Sequence, residues 1–137
     1  MEKQKDISVI VPLWNEDESL RPLHDWIQKV MSEHGFEYEI IFVNDGSTDA
    51  SWKVIEELHE ENPDTVHGIC FRRNYGKSPA LYCGFEAAEG RVVITMDADL
   101  QDSCASGYVV FLPERKEHQD ILDVPRLLGL YRILSSL

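Results

Sequence analysis

A chain of 137 residues, 43% hydrophobic and 28% charged, has the length and apolar content for one globular domain with its own core. Its formal net charge of −12 argues against nucleic acid as a partner, because binding that backbone usually needs a basic surface. An anionic small molecule can still bind if a bridging cation, local basic side chains or helix N-termini meet it.

Cys70, Cys83 and Cys104 are odd in number and form no C-x-x-C pair. This disfavours a disulfide framework or a zinc site and fits a reducing, cytoplasmic compartment. Each cysteine is expected to be a small buried apolar residue, Cys70 and Cys83 above all. His24, His34, His59, His67 and His118 show no ligand spacing and are expected at the surface or in incidental places. The N-terminus has no apolar signal core, and the longest apolar-rich stretch is too short and broken to span a bilayer.

Residues 7–13 form a β-branched apolar run that predicts a strand buried on both faces. Leu20, Leu23, Ile27, Val30 and Met31 recur at helical spacing. Asn15 and Glu18 precede them as a cap-like pair, and Pro22 is tolerable in a first turn. Residues 38–43 read as a second strand, and Asn44-Asp45-Gly46-Ser47 as a turn. Asp49 is placed to cap a helix carrying Trp52, Ile55 and Leu58, which Asn62-Pro63-Asp64 ends. Residues 66–71 predict a third strand, 72–77 a basic loop, 80–88 a helix of small residues, and 92–96 a fourth strand after Gly90.

The order β-α-β-α-β-α-β implies an α/β fold, a mostly parallel sheet with helices on both faces. Ligands of such sheets bind beyond the carboxyl ends of the strands. The polar clusters fall at that edge: Asn15 and Glu16, then Asp45-Gly46-Ser47, then Arg72 to Lys77, then Asp97, Asp99 and Gln101. Asp97 and Asp99, if extended, share one face, and with the Gln101 amide they are hard oxygen ligands for Mg²⁺ or Mn²⁺. A metal there would neutralise charge on a departing nucleoside diphosphate. The plainer alternative is a pair of turn or cap aspartates.

Asp45 could accept hydrogen bonds from a base or ribose, with Gly46 allowing close backbone approach; an ordinary β-α turn is the competing reading. Trp14 could wall a base pocket and Glu16 accept hydrogen bonds from the base, or the two could be a packed aromatic and a helix cap. Arg72, Arg73 and Lys77 could meet a diphosphate or an anionic acceptor, or be solvated loop charge.

Pro12-Leu13-Trp14-Asn15-Glu16, Asn44-Asp45-Gly46-Ser47-Thr48-Asp49, Arg72-Arg73-Asn74-Tyr75-Gly76-Lys77 and Met96-Asp97-Ala98-Asp99-Leu100-Gln101-Asp102 together resemble the ordered signatures of family 2 glycosyltransferases with the GT-A fold. The Leu-Gln-Asp extension and the Arg-Asn-x-Gly-Lys loop are similar, more narrowly, to the polyprenol-phosphate sugar transferases. The resemblance covers roughly residues 6–102. It implies the Rossmann-like nucleotide-binding half of a GT-A fold and inverting sugar transfer from a UDP- or GDP-sugar with Mg²⁺ or Mn²⁺. By position, Pro12, Trp14, Glu16, Val43 and Asp45 would line the nucleoside pocket. Asp97 and Ala98 would meet the ribose and diphosphate, Asp97, Asp99 and Gln101 would serve the metal, and Lys77 would touch a phosphate. The acceptor would be a polyprenol phosphate or a glycan, and the setting the cytoplasm or the cytoplasmic face of a membrane.

Two features depart from the family pattern. Arg91 stands where an acidic residue is usual, expected to be a surface detail. Residues 103–137 carry none of the expected acceptor half. They are expected to be a divergent, truncated or frame-shifted tail that adds an edge-covering helix or stays poorly ordered, beside a nucleotide-sugar-binding region at 1–102. An uncovered sheet edge would favour self-association. A folded remnant that binds nucleotide weakly or not at all is the alternative. A phosphatase-like enzyme with a D-x-D nucleophile ranks low, since that motif typically ends a first strand and is followed by Thr or Val.

Overall fold

The computed structural model describes residues 5–96, Ala98 and the backbone of 109–111. Strands β1 (Ile7–Leu13), β2 (Tyr38–Asn44), β3 (Val66–Cys70) and β4 (Val92–Thr95) alternate with helices α1 (Leu20–His34), α2 (Ser51–Glu61) and α3 (Lys77–Ala87). Strand β5 (Val109–Phe111) follows. The sheet order is β3-β2-β1-β4-β5. The first four strands are mutually parallel, as a βαβ chain demands, and β5 pairs antiparallel with β4. Residues 109–111 thus contribute a strand, while the expectations of a helix or poor order for the rest of 103–137 lie outside the described residues.

β1 and β2 are central, and every residue of β2 is buried, which explains the unbroken apolar run there. One face of the sheet holds Val9, Val11, Ile40 and Phe42 against Leu23 and Ile27 of α1 and Ile55 and Leu58 of α2. The other face packs Ile10, Ile41, Val43 and Val93 against Ala80 of α3. Gly84 lets α3 lie close, because a Cβ there would sit 2.5 Å from Ile10 Cγ2.

Polar groups fix the opposite, amino-terminal edge. The Glu39 carboxylate is buried and accepts bonds from the Ser8 hydroxyl (2.5 Å) and the Glu89 amide (2.7 Å). Ser8 Oγ in turn accepts from the Gly90 amide at 2.8 Å. Arg91, expected as a surface detail, donates to Asp6 at 2.7 Å, while its amide and that of Val92 bond the carbonyls of Lys5 and Asp6. These bonds tie the α3–β4 connection to the start of β1 and so place β4 beside it.

Other local expectations are corrected. Asn15 does not cap α1, whose N-cap is Ser19. Asp49 lies one residue before the α2 N-cap, Ala50, and accepts the Ser51 amide at 2.9 Å. Cys70 is exposed and Cys83 half-buried, because β3 is an edge strand and α3 covers the sheet mainly with Ala80 and Gly84. His24 is buried in α1, with Nδ1 at 3.1 Å from Asp25 and Nε2 without a partner among the described residues.

Candidate functional site

The first three polar loops do meet at the carboxyl ends of the strands. The β1–β2 ladder runs on through the Asp45 amide, which donates to the Leu13 carbonyl at 2.8 Å. The β2–β3 ladder runs on through the Phe71 amide, which donates to the Asn44 carbonyl at 2.8 Å. These extensions bring residues 14, 45 and 72–77 to one edge. Pro12, Leu13, Trp14, Asp45 and Lys77 line a cavity of about 150 Å³ there. Drug-sized ligands fill roughly 300–1,000 Å³, so this space suits one ring or group of a larger molecule. Trp14, one of the lining residues, is 51% exposed.

Asp45 is only 6% exposed, and its carboxylate is already engaged. Oδ1 accepts the Tyr75 amide at 2.7 Å and Oδ2 the Gly76 amide at 3.1 Å. Charge-assisted bonds of this kind are the stronger class. Asp45 therefore ties the basic loop to the end of β2, and what faces the cavity is its remaining acceptor capacity. Gly46 supports the same junction. It adopts φ +73°, and a Cβ there would lie 2.2 Å from the Arg73 carbonyl carbon. The basic loop is further set by aromatic contacts: Arg73 Cζ lies 4.9 Å from the Tyr75 ring centroid, and Phe71 meets Tyr75 edge-on at 5.6 Å. Helix α3 begins at Lys77, and its N-cap, Gly76, supplies no capping side chain.

The remaining expected residues are placed differently. The Glu16 carboxylate accepts the Ser19 hydroxyl at 3.2 Å, and its amide donates to Ser51 Oγ at 3.0 Å, so Glu16 braces the loop beside the cavity. Val43 lies opposite Pro12 in the β1–β2 register, but its side chain is fully buried beneath α3. The Ala98 side chain is buried in the other core cluster. Either could reach a ligand only through its backbone. Asp97, Asp99 and Gln101 lie outside the described residues, and among the described residues no three His, Cys, Asp or Glu side chains gather as metal ligands.

The sequence places Asn15 at this edge and also suggests a helix cap, but it does not reveal that the side chain bonds the turn after β2. Asn15 is the sole non-glycine residue with positive φ (53°) among those described, and its side chain reaches the β2–α2 turn. The available signal was residue type, since asparagine tolerates the left-handed region.

A mostly parallel α/β sheet with convergent loops at its carboxyl edge defines the class: this is the Rossmann-like half of a GT-A fold. Residues 8–104 match the family described as glycosyl transferase family 2, and the chain belongs to that family. It is 39% identical over 129 residues to the undecaprenyl-phosphate 4-deoxy-4-formamido-L-arabinose transferase of Proteus mirabilis, covering 87% of this chain and 40% of that protein. It is 41% identical over 96 residues to the bactoprenol glucosyl transferase of Shigella phage SfV, covering 70% of this chain and 31% of that protein. Among solved structures it is similar to a mannosyltransferase from Pyrobaculum calidifontis in complex with GDP-Man and Mn²⁺. There the TM-score is 0.56 at 27% identity, over 71% of this chain and 28% of the other. The chain thus spans well under half the length of the curated relatives it matches.

Proposed function

We propose that this chain forms the donor-binding half of an inverting sugar transferase that uses a UDP- or GDP-sugar. The observation that carries the reading is the convergence of Pro12, Trp14, Asp45 and Lys77 on one cavity at the carboxyl edge. In this account the Trp14 ring packs on the nucleobase and Asp45 offers it an acceptor. Lys77 and the first-turn amides of α3 face the diphosphate, where cationic and N–H groups suit negative charge. The net charge of −12 makes such a local basic edge necessary for an anionic ligand.

Asp97, Asp99 and Gln101 carry the oxygen donors that suit Mg²⁺ or Mn²⁺, and we assign them to the metal that accompanies the diphosphate. Such an ion, when bound, offsets negative charge on the leaving nucleoside diphosphate. The mannosyltransferase solved with GDP-Man and Mn²⁺ supports this pairing of donor and ion. Two relatives are named for undecaprenyl phosphate and bactoprenol, which supports a polyprenol-phosphate acceptor, and such a lipid would place the chain at the cytoplasmic membrane face. A phosphate acceptor is already a nucleophile, so the donor half needs no strong general base. No helix among the described residues is long and apolar enough to cross a membrane.

Calorimetric titration with UDP and GDP, with and without Mn²⁺, tests the donor site. Metal-dependent binding that Trp14→Ala and Asp99→Ala both weaken is the expected result. Binding that neither substitution changes, or no binding at all, would leave only a folded remnant.

A further inference from the structure

We infer that Asn15 is a positioning residue that fastens the loop after β1 to the turn after β2, and so sets the place of Trp14 in the nucleotide cavity; this rests on the nucleotide-site reading above. Its Oδ1 accepts the Thr48 amide at 2.8 Å and the Asp49 amide at 3.3 Å. Its Nδ2 donates to Thr48 Oγ1 at 3.3 Å, and its own amide donates to Ser47 Oγ at 2.9 Å. The following residues repeat the pattern in both directions. The Glu16 amide donates to Ser51 Oγ at 3.0 Å, and the Asp17 amide to Asp49 Oδ2 at 3.3 Å. The Ala50 amide donates back to Asp17 Oδ2 at 3.4 Å.

Loop amides that would otherwise wait for water are thereby satisfied across the two loops, over 32 to 35 residues of sequence. Asn15 is central to this lattice because its side chain accepts two amides of the turn after β2 and exchanges bonds with the Thr48 hydroxyl. Its φ of 53° is a conformation that costs most L-residues energy, and asparagine least among side chains with a Cβ. Trp14 precedes it directly, so the fixed turn at Asn15 sets where the indole stands on the cavity wall. Because the Asp45 carboxylate in turn holds Tyr75 and Gly76, the loops after β1, β2 and β3 become one body. A nucleotide then meets walls that need little ordering on binding.

Three variants separate the staple from the backbone angle. Asn15→Gly relieves the positive φ but removes the side chain; Asn15→Ala removes the side chain and keeps the strain; Asn15→Asp keeps the acceptor that receives Thr48 and Asp49. Amide hydrogen exchange of the free proteins reads the staple without any ligand. Titration with UDP and GDP in Mn²⁺ reads its consequence. In Asn15→Gly and Asn15→Ala, Thr48 and Asp49 exchange faster, and the nucleotide that binds the wild type binds at least about tenfold more weakly. Asn15→Asp stays within a few-fold of wild type in both measurements. Unchanged exchange in Asn15→Gly overturns the staple. Raised exchange with unchanged affinity overturns its role in positioning. A wild type that binds neither nucleotide overturns that role together with the site reading, and is recognised because the exchange experiment still reports the staple by itself.

Discussion

Replacing Gly46 with alanine should disconnect the basic loop from the sheet. The new Cβ would stand 2.2 Å from the Arg73 carbonyl carbon and 2.4 Å from the Asn74 nitrogen. Comfortable carbon contacts lie at about 3.5–4.0 Å, so the loop must retreat by more than about 1 Å. The obstacles are backbone atoms, which no rotamer change can clear. Alanine at φ +73° also costs roughly 1–2 kcal/mol by itself. A retreating loop pulls the Tyr75 and Gly76 amides away from Asp45, and each such bond to a charged group contributes about 1.5–3 kcal/mol. Water can rehydrate the freed carboxylate, which sets a lower figure of about 2 kcal/mol; if Asp45 stays covered the loss approaches about 5 kcal/mol. With a urea dependence of about 1–3 kcal/mol per molar, the midpoint should fall by about 1 M or more. Urea unfolding followed by circular dichroism measures this, and amide exchange shows whether Tyr75 and Gly76 lose protection. A loss below about 0.5 kcal/mol, the range of an indifferent surface change, with both amides still protected, would refute the reasoning.

Further outcomes follow from other groups. His24→Leu removes a buried Nε2 that has no partner among the described residues and gives up a contact with exposed Asp25, so stability should hold or rise by up to about 2 kcal/mol in thermal or urea unfolding; a loss above about 1 kcal/mol would show that the imidazole has a function in the core. Burial alone would raise the Asp49 carboxyl, but bonds from the Ser51 side chain and amide and the Asp17 amide hold it below the usual carboxylate range. Its contribution is therefore present above the unfolded value of about 3.9 and is lost as pH falls through the lower folded value. Unfolding midpoints of wild type and Asp49→Asn should converge over that acid range, and a constant gap down to the lowest pH would contradict the sign. The effect should be small, since Asp49 is exposed and water screens it. Cys70, exposed at the end of β3, should react with a thiol reagent faster than half-buried Cys83; Cys70→Ser should remove that phase, which progress curves would show.

Much of the fold was readable because burial and period coincide. Strand β2 reads as an unbroken apolar run because both its faces are covered, and α1 reads as a helix because Leu20, Leu23, Ile27 and Met31 form its buried stripe. The site edge was readable from topology alone, since a parallel sheet puts all its βα loops on one side. Side-chain partners were harder. A strand-end aspartate can serve a ligand, a neighbouring loop or both, and only the position of the Tyr75 and Gly76 amides reveals that Asp45 also holds a loop. Asn15 and Glu18 have a spacing that fits a cap, yet the chain turns at Asn15 and sends its amide group to Thr48. Cys70 and His24 were misjudged because residue type does not say which strand lies at an edge or which turn of a helix faces inward. The antiparallel pairing of β5 with β4 has no recognisable signal in residues 103–108 of the sequence.

The central claim is a donor site at the carboxyl edge, and a hydrogen-exchange footprint of the chain with and without a UDP- or GDP-sugar and Mn²⁺ tests it most directly. Bound donor should slow exchange at Trp14–Asn15, Asp45–Ser47 and Lys77–Ser78. It should leave unchanged the amino-terminal edge at Glu39 and Gly90 and the groove between Trp52, His59 and Gly68. Protection confined to that groove, or to the amino-terminal edge, would contradict the account.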